Sequence, residues 1–251
     1  MNKKERLTLN KKGWDTIADD WFGSTSLPTY APLMATETDL KLFGDLKAKK
    51  VLDIGCGSGH SLKYMADQGA AELWGIDISS SQIKNAKSYL GENNLTANLF
   101  ESPMEVNPGI PENYFDIVYS IYAFGWTVDL DTSINLVSKY LKPGGIFIMS
   151  WDHPLTGCIK SENGKILIDR SYHHLDTIYM NKADEVMTFT KYKMSSYVNA
   201  FSNHGMYIEK LIEDVSQDVL LGDFDDYDKY YSKWKARQVP LSMIIKARKH
   251  R

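Results

Sequence analysis

The alternation of apolar and polar positions sorts the chain into a regular centre and two less regular flanks. Trp14, Ile17, Ala18 and Trp21 stand at i, i+3, i+4 and i+7, one face of an amphipathic helix. A polar link through Ser24-Thr25-Ser26 and Pro28 leads to a second predicted helix over 35–46. From there strand and helix signals take turns. Apolar, β-favouring runs predict strands at 51–54, 73–76, 97–100, 115–120 and 146–151, and helices are expected at 61–68, 79–90 and 131–141. Ser79 or Ser80 can cap the second of these helices, whose Ile83, Ala86 and Leu90 share one side. Pro143-Gly144-Gly145 stops the third, and Pro103, Pro108-Gly109 and Pro111 mark an irregular stretch before the fourth strand. Such alternation predicts an α/β fold, a parallel sheet covered by helices on both faces.

After Asp152 the pattern breaks. Residues 152–193 are rich in His, Tyr, Asn, Gly and Asp, with short β-like runs at 166–168 and 186–189, and read as an insertion, a small hairpin cap. A helix is expected over 195–202 with Tyr197, Val198 and Phe201 as its buried side. Strands at 206–215 and 241–247 close the chain. The expectation is one domain over 1–251. Within it, 1–46 is a helical lid, 47–152 the cofactor-binding core, 153–193 the cap, and 194–251 the final helix and strands.

Chemistry concentrates where the first strand ends. Val51-Leu52-Asp53-Ile54 runs into Gly55-Cys56-Gly57-Ser58-Gly59 and then a helix. Glycines at that turn permit positive φ and a close approach of ligand to main chain, and the helix N-terminus favours anionic or nucleotide-like groups. The order is G-x-G-x-G followed by His60 rather than G-x-G-x-x-G, which weighs against a nicotinamide dinucleotide site and leaves it the runner-up. Asp77, about twenty residues on, ends the next strand. Its carboxylate can accept both hydroxyls of a ribose, or it can cap the helix at Ser79. Ser102-Pro103-Met104 ends the third strand, and Ser120-Ile121-Tyr122 the fourth.

At VLDIGCGSG (51–59), WGIDIS (74–79), YFDIVYS (114–120) and YLKPGGIFIMSW (140–151) the chain resembles the class I S-adenosylmethionine-dependent methyltransferases, in their small-molecule branch. The resemblance implies a Rossmann-like, doubly wound, seven-stranded sheet with an antiparallel last strand. It implies S-adenosyl-L-methionine as cofactor, with Gly55, Gly57 and Gly59 along its methionyl part, Asp77 on the ribose, Pro103 and Met104 flanking the adenine, and Ser120 near the methionyl end. Asp53, Cys56, Ile78 and Ser102 complete that expected lining, and Trp14 belongs to a helix that resembles the family's closing lid. Many relatives carry an Asp where Pro103 stands, so adenine recognition falls to Met104, Glu105 or backbone. Gly125-Trp126 replaces a pair of histidines found in many small-molecule relatives.

A methyl acceptor is expected in a pocket lined by Trp21, Tyr30, Tyr122, Trp126, Trp151, Tyr172 and His173, although aromatic residues also build ordinary cores. His153, just after the fifth strand, is the candidate general base, against the plainer reading of a structural loop histidine. Adjacent His173 and His174 point apart in an extended segment, so no metal site is expected. No Asp/Asn-Pro-Pro-aromatic motif follows the fourth strand, and Cys158 lacks the Pro that precedes a cytosine-attacking nucleophile.

Composition narrows this further. A net charge of −3 supplies no field for nucleic acid, and the basic run Lys246 to Arg251 is short. Two cysteines are too few for a disulfide framework or a zinc site. No apolar run reaches membrane-spanning length, and Met1-Asn2-Lys3-Lys4 is not followed by a signal-peptide core. A reducing, cytoplasmic setting is expected, with a small-molecule partner, no nucleic acid, no membrane, and a monomer or homodimer. The acidic positions Asp223, Asp225, Asp226 and Asp228 read as a solvated surface or helix start.

Overall fold

The structure is a computed structural model that describes every residue except 175, 176 and 225, so Asp225 of the acidic run lies outside the described residues. Helix α1 (Lys3–Ile17) opens it, capped by Asn2, whose side chain accepts from the Glu5 amide while the Glu5 carboxylate accepts from the Asn2 amide, both at 2.9 Å. The helix starts earlier than its tryptophan stripe and ends at Ile17, so Trp21 sits in the following turn. The second expected helix shrinks to α2 (Glu37–Leu40). Lys41 turns left-handed at φ 48°, and the buried Glu37 carboxylate accepts from the amides of Leu42 (2.8 Å) and Phe43 (3.0 Å) and from the Tyr30 hydroxyl (2.5 Å). Three donors converging on one carboxylate fold the chain back where periodicity alone would have continued the helix.

The core then alternates: β1 (Lys50–Ile54), α3 (His60–Asp67), β2 (Glu72–Asp77), α4 (Ser80–Glu92), β3 (Asn98–Glu101), β4 (Phe115–Ile121), α5 (Leu130–Tyr140) and β5 (Leu141–Asp152). The insertion is two hairpins, β6 (Ile159–Glu162) with β7 (Lys165–Ile168), and β8 (Thr177–Lys182) with β9 (Glu185–Thr190). Helix α6 (Met194–Asn203), β10 (Met206–Ile212), the short helices α7 (Gln217–Leu221) and α8 (Lys233–Ala236), and β11 (Ser242–Lys249) finish the chain. The main sheet has seven strands in the order β10-β11-β5-β4-β1-β2-β3. Only β11 opposes its neighbours, pairing antiparallel with both β5 and β10.

Helices cover both faces, so strand residues of both parities are buried. Val51, Ile117, Tyr119 and Ile148 face one apolar layer, and Leu52, Ile54, Val118 and Phe147 the other. Strand β5 begins at Leu141, earlier than expected, because Pro143-Gly144-Gly145 is absorbed by a register shift between the pairs Phe115↔Leu141 and Ile117↔Ile146. On α6 the inward residues are Tyr197, Ala200 and Phe201, while Val198 is exposed. No helix starts among the described residues of the acidic run: Asp226 instead reaches α8, seven residues on, and accepts from the amides of Lys233 (3.1 Å) and Trp234 (3.0 Å) at its start.

Helix α1 lies between the core and the second hairpin. Asn10 exchanges two hydrogen bonds of 2.7 Å with the Thr188 backbone, and Arg6 donates to the hydroxyls of Thr188 and Thr190. On its other side Asp15 accepts from the hydroxyl of Ser79 (2.7 Å) and the amide of Ser81 (3.1 Å) at the start of α4. Burial alone would raise the Asp15 carboxyl, but these donors and Lys11 outweigh it and hold it low. The N-terminal segment is thereby placed over the carboxyl ends of β1, β2 and β4.

Candidate functional site

Two adjacent cavities with shared lining residues lie at that edge of the sheet, where parallel α/β folds bind ligands. The first is a cradle made largely of backbone. Gly55 (φ 75°) and Gly57 (φ 49°) take left-handed conformations between β1 and α3. A Cβ on Gly55 would stand 2.4 Å from that of Ala123, so the β1 loop and the chain after β4 touch as closely as glycine allows. Asp77 ends β2 with one carboxylate oxygen accepting from the Gly57 amide and the other from the Ser79 amide, each at 2.9 Å. Burial pushes its carboxyl up to about 6, against the pull of those two donors. Each oxygen keeps acceptor capacity beyond its one bond.

Asp53, Gly55, Cys56, Gly57, Asp77, Ile78, Ser102, Pro103, Met104 and Trp14 all line this cleft, together with Gln82, Glu105 and Trp21. Trp21 Nε1, Gln82 Oε1 and Glu105 Oε2, all in this lining, are buried polar atoms with no partner among the described residues. Glu105 is fixed through its other oxygen, which accepts from the Thr127 hydroxyl (2.6 Å) and the Val128 amide (2.7 Å). Orphaned buried donors and acceptors cost free energy unless a ligand satisfies them. A glycine cradle, a buried carboxylate with acceptor capacity to spare and an unpaired acceptor beyond Pro103 fit an adenosyl cofactor. The cleft is narrow, about 100 Å³, because Trp14 and Trp21 stand over it.

Two expected cleft residues are not in its lining. Ser120 is fully buried and its hydroxyl donates to the Ile54 carbonyl at 2.6 Å, pinning β4 to β1. Gly59 starts α3 at φ 83°, and a Cβ there would meet Ala86 and Leu90 at 3.3–3.4 Å, so it serves helix packing.

The second cavity is a chamber of about 490 Å³ that shares Trp14, Trp21, Thr25, Tyr122 and Trp126 with the cradle. Its walls interlock edge to face: Trp126 lies 5.2 Å from Trp14, 6.0 Å from Trp151 and 5.6 Å from Phe189 between ring centres. Gly125 permits this, since a Cβ there would stand 1.8 Å from the Trp151 ring. Asp152, at the end of β5, turns its carboxylate toward three hydroxyls, those of Tyr122, Tyr231 (2.9 Å) and Tyr230 (3.1 Å). Burial pushes the Asp152 carboxyl up, with the three hydroxyls opposing.

Of the expected acceptor-lining residues, Tyr122, Trp126 and Trp151 line the chamber, with Trp21 at the junction. Tyr30 does not: it is fully buried, donates to Glu37 and stacks on Phe43 at 6.2 Å. The Tyr172 hydroxyl accepts from the Met194 amide, and His173 is exposed, so both lie outside the lining because their loop is tied to the start of α6. His153 borders the chamber, yet both ring nitrogens are engaged. Nδ1 accepts from the Leu155 amide (3.2 Å), which assigns the proton to Nε2, paired with Glu213 at 2.8 Å. Burial lowers its pKa, with Glu213 opposing. The expected base therefore has no lone pair turned to the chamber. Asp152, Phe189, Tyr230 and Tyr231 went unassigned in the sequence. The signal for the last two was the aromatic density directly after the acidic run.

Among the described residues no group of three or more His, Cys, Asp or Glu could hold a metal, and no helix is long and apolar enough to cross a membrane.

Residues 52–149 match the methyltransferase-domain family. An uncharacterized protein of Haemophilus influenzae is 34% identical over 126 residues, 49% of this chain and 50% of that protein. A phosphoethanolamine N-methyltransferase of Triticum aestivum is 27% identical over 201 residues, 77% of this chain and 38% of that enzyme. The chain thus spans about half or less of the length of these curated relatives. Among solved structures, an S-adenosylmethionine dependent methyltransferase from Mesorhizobium loti superposes with TM-score 0.67 at 20% identity, covering 84% of this chain and 95% of that one. A Burkholderia thailandensis 1,6-didemethyltoxoflavin-N1-methyltransferase with bound S-adenosylhomocysteine gives 0.63 at 13% identity, covering 100% and 92%.

Proposed function

We propose that this chain, which belongs to the class I S-adenosylmethionine-dependent methyltransferases, moves a methyl group from S-adenosylmethionine to a small molecule held in the aromatic chamber. One observation carries the reading: the cradle and a second cavity with its own walls share Tyr122 and Trp126 in their linings. A donor on one side and an acceptor on the other would meet at that junction.

The cofactor supplies an electrophilic methyl on a sulfonium. The protein's part is to bind, align and keep water out. Gly55 and Gly57 leave the main chain open to the methionyl part, and Asp77 accepts the ribose hydroxyls. Glu105 Oε2 accepts the adenine amino group in place of the family's usual Asp, since Pro103 cannot. Trp14 and Trp21 close the top. Tyr122 and Trp126 hold the acceptor atom about 3 Å from the methyl carbon, in line with the bond that breaks. The setting is taken as cytoplasmic, in keeping with two buried cysteines that form no disulfide.

Calorimetry with S-adenosylhomocysteine and with NADH tests the cofactor side. Binding of the first alone is expected, and binding of NADH alone would move the chain to the oxidoreductases. Labelled methyl transfer onto fractionated cell extract tests the acceptor side. Label is expected in the small-molecule fraction, and label confined to protein or tRNA would overturn the small-molecule reading. Tight cofactor binding with no label in any fraction would make it a cofactor-binding protein without catalysis.

A further inference from the structure

The chamber contains a group that methyl transfer as such does not require: a carboxylate sunk among aromatic rings. Among the described residues, the partners of the Asp152 carboxylate are three tyrosine hydroxyls. Tyr122 and Tyr231 share one oxygen, and Tyr230 reaches the other at 3.1 Å. Tyr122 and Tyr231 also touch each other at 2.6 Å, so the three hydroxyls form one connected cage. A carboxylate has about four acceptor sites, and three hydroxyl protons, one of which can serve the Tyr122–Tyr231 contact, fill at most three of them. Neutral donors return only part of what an anion loses on leaving water, so such a site favours a cation. Its surroundings favour one too, because the faces of tryptophan and tyrosine attract ammonium groups.

Placement narrows this to the reacting end of the acceptor. The Tyr122 hydroxyl touches Asp152 while its ring borders the cradle, so the carboxylate lies one tyrosine length from the junction. Tyr122 is held there at φ 55°, a left-handed conformation unusual for a bulky side chain, with its amide donating to the Ser150 hydroxyl at 3.0 Å. The chamber's cations belong to the insertion. Lys182 lies 4.4 Å over the Trp21 ring, Arg170 is 3.9 Å from Asp169, and Lys191 donates to the Ser171 carbonyl.

We propose, resting on the methyltransferase reading above, that the acceptor is a small amine that enters as its ammonium ion, with Asp152 as counter-ion and the aromatic walls around its alkyl groups. The ammonium gives one proton to the Asp152 carboxylate. The nitrogen lone pair so freed forms the new N–C bond as the C–S bond breaks, and that bond's electrons go to sulfur, which ends as a neutral thioether. Nitrogen ends methylated and positive, again opposite Asp152 once the carboxyl has released its proton to water.

Choline and 3,3-dimethylbutan-1-ol differ in charge and hardly in shape. Each is titrated into the protein saturated with S-adenosylhomocysteine, followed by tryptophan fluorescence and calorimetry. Choline is expected to bind about tenfold or more tighter than the alcohol. In Asp152→Asn that preference should vanish while S-adenosylhomocysteine affinity stays unchanged. Tyr231→Phe, which removes one hydroxyl from the carboxylate, should keep or widen the preference, and it tests the idea even if Asp152→Asn fails to fold. Equal binding of the two probes, no choline binding up to millimolar concentration, or a preference that survives Asp152→Asn would each overturn the amine assignment. Equal binding is also what a neutral hydroxyl acceptor with Asp152 as base would give. Failure of S-adenosylhomocysteine to bind the wild-type protein would instead strike the methyltransferase reading.

Discussion

The cradle and the chamber meet at Tyr122 and Trp126 but are built on opposite plans. In the cradle, backbone does most of the work: left-handed glycines, two amides on Asp77 and a helix start, mostly within 55–79. In the chamber, backbone only holds side chains in place, and those come from the lid, the ends of β4 and β5, the second hairpin and the loop at 230–231. A backbone site tolerates little variation, because its geometry is set by φ and ψ. A side-chain site can change its ligand by exchanging rings and charges on an unchanged frame. The pair therefore suits a fixed cofactor and a variable acceptor.

The largest effect should come from breaking the backbone plan. Gly55→Ala must carry a Cβ at φ 75° and 2.4 Å from that of Ala123. The strain and the clash together should cost about 3 kcal/mol or more. S-adenosylhomocysteine affinity measured by calorimetry is expected to fall by about a hundredfold or beyond. Near-normal affinity would mean that the β1 loop moves freely, contrary to a cradle set by its backbone.

Next in size is the carboxylate that ends β2 in the cradle. Asp77→Ala should weaken S-adenosylhomocysteine binding by about 1.5–3 kcal/mol, the range for hydrogen bonds to a charged group. The wild-type protein offers the same test by pH. Burial raises the Asp77 carboxyl to about 6 in the free protein, and a ligand that donates two hydroxyls prefers the ionised form. Affinity should hold above pH 6 and fall about tenfold per unit below it. A flat profile from pH 7 to 5 would remove Asp77 from the ribose. The linked stability runs the other way: a carboxyl with a raised folded pKa favours folding at low pH, and that contribution fades as pH rises through 6.

This contrast explains what could be read in advance. The sheet, its antiparallel last strand and the glycine–Asp77 pair rest on local signals, since period, turn residues and strand ends sit close in sequence. The cap of Glu37 on residues 42–43, which ended α2 early, depends on a buried carboxylate that periodicity cannot register. The chamber was half legible. Tyr122 and Trp126 follow a predicted strand and Trp151 ends one, so their positions came with the sheet. Tyr30 and Tyr172 are aromatic for reasons of packing and loop anchoring, and composition does not separate them from Tyr230 and Tyr231, which lie far along the chain in an acidic stretch.

A smaller effect separates frame from site at Ser120. The β1–β4 pairing runs from Val51↔Ile117 to Asp53↔Tyr119, and the Ser120 hydroxyl supplies a bond to Ile54 one step further. Ser120→Ala should cost about 1–2 kcal/mol of stability, a buried bond lost with an acceptor left short. Melting should drop by roughly 2–8 °C, from about 2–4 °C per kcal/mol at this chain length. S-adenosylhomocysteine affinity should stay within about twofold, because the hydroxyl faces the sheet. A large affinity loss without a loss of stability would return Ser120 to the cleft.

The smallest effect is expected at His153, where a base would have made the chamber catalytic in its own right. A neutral imidazole has one lone pair, and here it faces the Leu155 amide, while the proton on the other nitrogen faces Glu213. Taking a proton from the acceptor would require breaking the first bond and turning the ring of a side chain only 7% exposed. His153→Gln keeps an acceptor and a donor on a side chain of similar reach, so it should cost about 1 kcal/mol or less in stability. Single-turnover methylation of an acceptor found in the extract screen should proceed within about threefold of the wild-type rate. General-base catalysis contributes about a hundredfold or more, so a fall of that size, with cofactor affinity intact, would restore His153 as the base. A normal rate leaves proton transfer to Asp152 and makes the His153–Glu213 pair a strut between the end of β5 and the segment after β10.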